Sequence, residues 1–563
     1  MLPLAKTKKW LLLLSLPLFL LLTLKIEIIL HKITLIETSL ISINSTQIEA
    51  SYIKNYIRII IITMVAFISI NVLFFSNYYL ADTDEIKFYL VLISFIASII
   101  VFSLSNNTIR LLLGWDGLGI SRFILVAHYP TPTAAGSSII TIFTNRIGDV
   151  IIILRFYFFI TQANWNLNYY NTEFMGLLLL ITASATKRAH IPFNLWLPEA
   201  IAAPTPVSAL VHSSTLVTAG IILILRLREI KNNINFINFV WIIGLLTTLR
   251  AGMVASYIKD PKKIIAYSTM SQLGIISLAL GISLPFVAFF HLVTHAIFKA
   301  LIFISIGVII AQTKHKQIIE SNKSTLWSSP STAFKIATIS LNAFPFTAGF
   351  YSKDLILESI LSYWSESLIL ITFLPVSLTA LYRVRLLKLT STSNSHSPLT
   401  LPASLNTHAI SKINFLSKTL QTTAAILTGR ALTSILLPQS LHHITQTQTL
   451  SILMINIIGL FLLLTKLSSS PHPLIKSNVI TRLIYTNIST WPTVEKINLY
   501  TFVHSFKLYK NLESGALLSF IKALFYTFRN LSLKTTAHSS IGIKMIIVTP
   551  ILLSLTIIAM VVI

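Results

Sequence analysis

Apolar runs about twenty residues long alternate with short polar connections along most of the 563-residue chain. A helix needs about 20 mostly apolar residues to cross a bilayer. By that measure spans are predicted near 10–30, 56–80, 87–105, 109–127, 138–160, 174–190, 203–226 and 236–258. Others follow near 263–283, 286–311, 332–349, 355–386, 420–438, 449–466 and 543–563, with a weaker candidate at 400–418. No ten-residue alternating pattern marks a β-barrel. The fold class is therefore an all-α polytopic membrane protein of about 15 transmembrane helices. The basic start and the apolar stretch Trp10–Leu24 resemble a signal peptide, but no small-residue cleavage site precedes Lys25, so the stretch is read as the first span.

Two regions break this pattern. Residues 388–419 are rich in Ser, Thr, Asn, His and Pro and read as a polar connection. Residues 466–544 hold ten Lys/Arg against two acids, Glu495 and Glu513, and stay out of the hydrocarbon. Within them Leu517, Phe520, Ile521, Leu524, Phe528 and Leu531 fall at helical spacing, with Lys522 and Arg529 on another face. That predicts an amphipathic helix able to lie along a membrane or on other helices; a basic loop with chance periodicity is the alternative. The chain then divides into 1–105 (N-terminal spans), 106–386 (a core rich in embedded charge), 387–466 (further spans with the polar loop), 467–542 (the basic amphipathic region) and 543–563 (a terminal anchor).

Composition sharpens the picture. Apolar residues make up 54% and charged ones 11%, against about 25% charged in a soluble protein. That excludes an ordinary soluble enzyme, and also disorder, which needs low hydrophobicity. The net charge of +25 would suggest nucleic-acid binding in a soluble protein. Here it reads as basic loops and helix ends on a lipid bilayer, with no nucleic acid as partner. There is no cysteine, so disulfides, thiolate-held iron–sulfur clusters and thiol nucleophiles are excluded, and any redox centre belongs to a partner.

The informative residues are ionisable groups inside apolar spans, where a charge costs about 2.5–3.5 kcal/mol even on the lenient insertion scale. Asp116 lies in Gly114-Trp-Asp-Gly-Leu-Gly119, whose glycines allow close approach by a neighbouring helix or water. Lys187 closes the span at 174–190. His212 follows the Pro204-Thr-Pro206 break, and Lys353 and Asp354 follow Pro345 and Gly349. His291, His295 and Lys299 stand at i, i+4 and i+8, which stacks them along one stripe, as a water-bridged proton relay needs. A metal reading is disfavoured because no Glu follows the first His and Lys299 adds a cation to the stripe. A structural role between helices fits any one of these residues; three lysines, two aspartates and three histidines ask for a common reason. A buried lysine can exchange its proton when a nearby carboxylate moves. Two similar units emerge, one around Asp116 and Lys187, the other around Lys299 and Lys353, each with a Pro-interrupted span.

These segments, together with Asn145-Arg-Ile-Gly-Asp149, Trp196-Leu-Pro-Glu-Ala200, Pro204–Thr215, Lys262–Gly274, His291–Ala300 and Gly349–Asp354, resemble the mitochondrially encoded subunit 5 family of proton-pumping NADH:ubiquinone oxidoreductase, respiratory complex I. The resemblance is dense from about 110 to 360 and thins on both sides. It implies two inverted antiporter-like repeats with broken helices, and a long lateral helix with a final anchor near 485–563, which sister subunits lack. It implies that Asp116 pairs with Lys187, that Asp149 is an acid near that pair, that His212, His291 and His295 link the two halves, that Lys299 is the central lysine, and that Lys353 and Asp354 form the exit pair. FMN, iron–sulfur clusters and ubiquinone would sit in partner subunits. The other membrane-arm subunits, the neighbouring antiporter-like one above all, would be the partners, and the inner mitochondrial membrane the location. An Mrp-type cation/proton antiporter subunit shares the central motifs and stays open, as does a purely structural member of the arm.

Three departures stand out. Relatives often carry Glu where Asp116 stands, and the N-terminal part is one helix short. Arg110, Arg122, Arg155, Arg188 and Arg383 stand where relatives commonly carry serine or another small residue. Some AGA/AGG codons, read as serine in several animal mitochondria, are expected to have been translated as arginine.

Overall fold

A bilayer offers no water to backbone N–H and C=O groups, so a spanning chain must satisfy them within its own helices. The computed structural model describes residues 34–43, 46–80, 85–129, 131–161, 174–226, 234–258, 260–312, 329–363, 372, 375–380, 382–383, 386 and 407–436. The predicted spans at 10–30, 449–466 and 543–563, the polar connection before Thr407 and the amphipathic stretch at 517–531 lie outside the described residues. The chain divides into two compact units, Met1–Pro471 and His472–Ile563, and every described residue belongs to the first.

The fold is helical, as expected, with one addition. β1 (Thr34–Ile43) and β2 (Thr46–Lys54) form an antiparallel hairpin, with Thr34 opposite Lys54 and Ile43 opposite Thr46, and a bulge between Ser39 and Ile41. Thr and Ile recur in both strands, and β-branched residues favour this geometry. The segment is too short and too polar for a span, and the apolar-run criterion passes over it.

Helices follow: α1 (Tyr56–Tyr79), α2 (Glu85–Leu104), α3 (Thr108–Val126), α4 (Pro132–Thr161) and α5 (Phe174–Arg188). Next come the short α6 (Trp196–Glu199) and α7 (Thr205–Val207), a π-helical segment Ser208–Thr215, and α8 (Leu216–Arg226). The rest are α9 (Ile234–Tyr257), α10 (Pro261–Leu280), α11 (Pro285–Gln312), α12 (Ser329–Leu341), α13 (Ala348–Tyr363) and α14 (Thr407–Leu436). Proline opens α4, α10 and α11, where its missing N–H costs nothing. Among the described residues, seven helices are long and apolar enough to cross a membrane.

Four predicted spans are cut differently. The span at 203–226 is broken into α7, the π segment and α8. Pro204 and Pro206 withhold two donors there, and the turn widens so that Leu216 N–H reaches the Val211 carbonyl. Hydroxyls fill the gap: Ser214 Oγ donates to Leu210 O (3.0 Å), Thr215 Oγ1 to the same oxygen (2.6 Å), and Ser213 to Ala209 O. The span at 332–349 ends at Leu341, because Ala343 (φ 56°), Pro345 and Phe346 (φ 67°) turn the chain before α13. The candidates at 400–418 and 420–438 are joined in α14, where Lys418 of the predicted polar connection is buried, as is Gln421 of the predicted span.

The core forms around α11, which packs on α1, α10, α12, α13, α14 and the π segment. The π segment is wholly buried. Gly114 of α3 lets α2 come close: a Cβ there would stand 2.7 Å from the backbone N and Cα of Phe102. Gly114→Val is expected to cost about 1–3 kcal/mol by overpacking. The readout is a several-fold fall in assembled subunit on a native gel; wild-type abundance would show that α2 and α3 do not pack here.

Candidate proton-relay site

The first cluster is built at the end of α5. Ala189, at φ 53°, stops the helix, and His190 N–H closes it on Ala185 O (3.1 Å). Trp196 Nε1 donates to the Thr186 carbonyl (2.8 Å). Lys187 is thus held, fully buried, in the last turn of a helix that ends inside the bundle, where the dipole favours a cation. Its Nζ donates to Trp115 O (3.0 Å) and lies 4.5 Å from the Trp115 ring centroid. Gly119, one turn on, leaves room: a Cβ there would stand 3.8 Å from that Nζ.

Trp115 organises the acids as well. Its Nε1 donates to Asp149 Oδ1 (2.7 Å), while Arg146 Nη1 meets Asp149 Oδ2 at 3.4 Å. Asp116 is near but unattached: its Oδ1 is buried without a hydrogen bond, and among the described residues no ion pair within 4.0 Å joins it to Lys187. Lys187, Asp116 and Asp149 are therefore gathered around one indole, with Lys187 on a carbonyl rather than on a carboxylate.

His212 sits in the π segment, its ring 6.3 Å from that of Trp196. Neither nitrogen has a partner in hydrogen-bonding geometry, and the Ala200 backbone is the polar group that faces the ring. The π segment packs directly on α11, which carries His291, His295 and Lys299. The rings of His291 and His295 are 6.3 Å apart, so the expected stripe forms. His295 has neither nitrogen bonded. Lys299 Nζ, fully buried, donates to Ser268 Oγ of α10 (2.5 Å).

Lys353 and Asp354 lie on α13. Lys353 Nζ donates to Thr379 Oγ1 (3.4 Å), Asp354 Oδ1 is buried without a hydrogen bond, and no ion pair within 4.0 Å joins the two among the described residues. Lys299 and Lys353 share no hydrogen bond either; His291, on α11, links their helices through Ser352 of α13 (2.9 Å). Sequence reasoning passed over Trp115, Ser268, Gln272, Ser352, Thr379 and Tyr382. One signal was present: Ser268, Ser271 and Gln272 interrupt an apolar run at helical spacing.

The transmembrane family model described as NADH:quinone oxidoreductase/Mrp antiporter matches residues 105–379, which hold every residue of these clusters except Tyr382. A curated relative from Anopheles arabiensis, NADH-ubiquinone oxidoreductase chain 5, is 42% identical over 341 residues, covering 58% of this chain and 88% of that one. The chain belongs to the NADH-ubiquinone oxidoreductase chain 5 family. The chain 5 proteins of Aedes aegypti and Lumbricus terrestris are 40% and 41% identical. The matches span 64% and 62% of their lengths, just under two thirds. Among solved structures, the fold is similar to the Mrp complex from Dietzia sp. (TM-score 0.73, 19% identity, 93% of this chain and 59% of that one). It is also similar to an archaeal membrane-bound sulfane sulfur reductase (TM-score 0.66, 20% identity, 75% and 89%). At such identities the likeness is one of fold.

Three of the arginines singled out in the sequence lack, among the described residues, the acidic partner that a buried charge calls for. Arg122, Arg188 and Arg383 are buried, and among the described residues none has an acid within 4.0 Å. Arg122 stacks 3.9 Å from the Trp196 ring with its Nε unbonded. Arg188 leans on Ser184 Oγ (2.9 Å) and Arg383 on Thr379 Oγ1 (2.8 Å), each leaving another nitrogen unbonded. A serine would instead bond a carbonyl of its own helix, as Ser184, Ser268 and Ser277 do. We therefore expect serine at these positions in the protein made by its own ribosomes. Peptide mass spectrometry covering Ile120–Phe123 reads position 122 directly, and arginine there overturns the expectation.

Proposed function

We propose that the chain is a proton-translocating membrane-arm subunit of complex I in the inner mitochondrial membrane. On this reading, partner subunits carry FMN, the iron–sulfur clusters and ubiquinone and move electrons from NADH to the quinone. The cysteine-free chain does the proton work beside a neighbouring antiporter-like subunit. The observation that carries the reading is the bonding of the three buried lysines. Lys187, Lys299 and Lys353 each donate to a neutral oxygen, those of Trp115 O, Ser268 Oγ and Thr379 Oγ1, and among the described residues no carboxylate lies within 4.0 Å of any of the three. A buried ion pair built for structure brings its partners together. A lysine on a neutral acceptor can give up its proton without stranding a carboxylate.

Charge displaced along the arm by electron transfer would change the attraction of Asp116 and Asp149 for Lys187. The Lys187 proton would then move toward His212, whose ring nitrogens can receive it, and on past His295 to Lys299. Release would follow through Lys353 and Asp354. The likeness of fold to the Mrp complex favours a second reading, a cation/proton antiporter subunit. Among the described residues no group of three His, Cys, Asp or Glu side chains is placed to hold a metal ion.

Two measurements separate these. On a native gel of solubilised membranes stained for NADH dehydrogenase activity, the chain is expected in the very large active band; a smaller, inactive assembly with Na⁺-dependent proton exchange would favour the antiporter. In the assembled complex, Lys187→Met is expected to lower NADH-driven proton translocation while the complex still forms. Pumping at the wild-type level in that variant would remove Lys187 from the mechanism.

A further inference from the structure

His291 differs from the other two relay histidines. His295 has no bonded ring nitrogen and His212 faces only the Ala200 backbone, whereas both nitrogens of His291 are held by side chains. Its Nε2 lies 3.2 Å from Gln272 Oε1 of α10, and its Nδ1 lies 2.9 Å from Ser352 Oγ of α13. A carboxamide oxygen only accepts. Nε2 therefore carries the hydrogen in the neutral ring, and Nδ1 accepts from the Ser352 hydroxyl.

The two partners are held differently. Gln272 is fixed at its other end, where Nε2 donates to the Tyr382 hydroxyl (3.5 Å), itself 3.0 Å from Ser271 Oγ. Ser352 has alternatives: Ala348 O at 3.3 Å, Gly349 O at 3.5 Å and Thr294 Oγ1 at 3.0 Å. One bond is locked and the other can rotate away.

We propose that Gln272 is a positioning residue that fixes His291 as its Nε2–H form, leaving Nδ1, on the Ser352 side, as the ring's single port for protons. For uptake, the Ser352 hydroxyl turns to Ala348 O, and a proton from an ammonium group of the relay bonds to Nδ1. The imidazolium keeps its Nε2–H on Gln272. For release, the Nδ1–H bond breaks, the proton passes to an amine or water on the α13 side, and Ser352 returns to Nδ1. Gln272 changes no bond in either step. His291 thus stores a proton on the Lys353 side rather than passing one through its ring. The charge acting on it is Lys353 of α13, joined in this chain by Arg383, where serine is expected. Its titratable neighbours are His295 on α11 and the phenol of Tyr382 beyond Gln272. With Lys353 on one side, the acceptor oxygen of Gln272 is what holds the charged ring.

The inference rests on the translocation reading, and the test separates the two. NADH-driven proton uptake and NADH oxidation are measured across pH in vesicles of the assembled complex carrying Gln272→Glu, Gln272→Met or Lys299→Met. Gln272→Glu keeps the acceptor and adds a negative charge that favours the imidazolium, so its pumping profile is expected to move to higher pH by about one unit. Gln272→Met removes the acceptor and is expected to lower protons moved per NADH several-fold at neutral pH. If Gln272→Met does not assemble, the Gln272→Glu profile decides. An unshifted Gln272→Glu profile, with pumping lost in Lys299→Met, overturns the inference alone. Normal pumping in Lys299→Met overturns the translocation reading and the inference with it.

Discussion

Everything in this molecule follows from the cost of keeping a cation where water is scarce. An ammonium group inside a bundle must find oxygen atoms, and the strongest available acceptor is a carboxylate. The structure uses weaker ones. Lys187 rests on a backbone carbonyl and an indole face, Lys299 and Lys353 on hydroxyls. Each gives a bond worth less than an ion pair, and each can be exchanged without separating opposite charges in a low-dielectric medium, which Coulomb's law makes expensive. Acids stand nearby, Asp149 held by Trp115 and Arg146, Asp116 and Asp354 with a bare oxygen. That spacing is a compromise between stability and transfer.

The interruptions in the helices are how the sequence obtains those positions. An unbroken span satisfies every backbone group and offers a proton nothing but side chains. Where α5 stops at Ala189, its last carbonyls become available inside the bundle, and Trp196 takes one of them while Lys187 profits from the helix end. Where Pro204 and Pro206 break the next span, the widened turn brings His212 against Trp196. Where Ala343 and Phe346 turn the chain, α13 begins close to α11, and Ser352 meets His291. Three breaks, three relay positions. Trp196 serves two of them, joining the end of α5 to the π segment.

The sequence shows which residues matter more readily than which ones touch. Apolar runs locate the long helices because burial in lipid is a property of twenty residues together. The embedded charges stand out for the same reason: each contradicts its surroundings. Partnerships are another matter. Asp116 is the conspicuous acid beside Trp115, yet Asp149, thirty-four residues beyond that tryptophan, takes the indole hydrogen bond, and only the crossing of α3 and α4 decides that. The β-hairpin is missed because its residues are neither apolar enough for a span nor regular enough for a half-buried strand. Lys418 reads as part of a polar connection because burial of polar residues depends on neighbours far away in the chain. Ser268, Ser271 and Gln272 are visible as a polar stripe, but what they hold is settled by α11 and Tyr382.

The contrast among the histidines carries the argument furthest. A ring with both nitrogens unbonded, as in His295, can accept a proton on one side and surrender it from the other, which is what a conducting element requires. A ring fixed at one nitrogen cannot do so without breaking the fixed bond, so it holds a proton on one face until that face empties. Along α11 the order is Lys299, His295, His291, with His291 bonded to Ser352 beside Lys353; on the proposed reading the open ring of His295 would conduct between Lys299 and the held ring, and the held ring would pause the proton before Lys353. A relay built only of open rings would leak in both directions whenever a gradient favoured it. On the proposed reading, one held ring would supply a step whose release depends on the hydroxyl of Ser352, and so on the position of α13 rather than on the gradient alone.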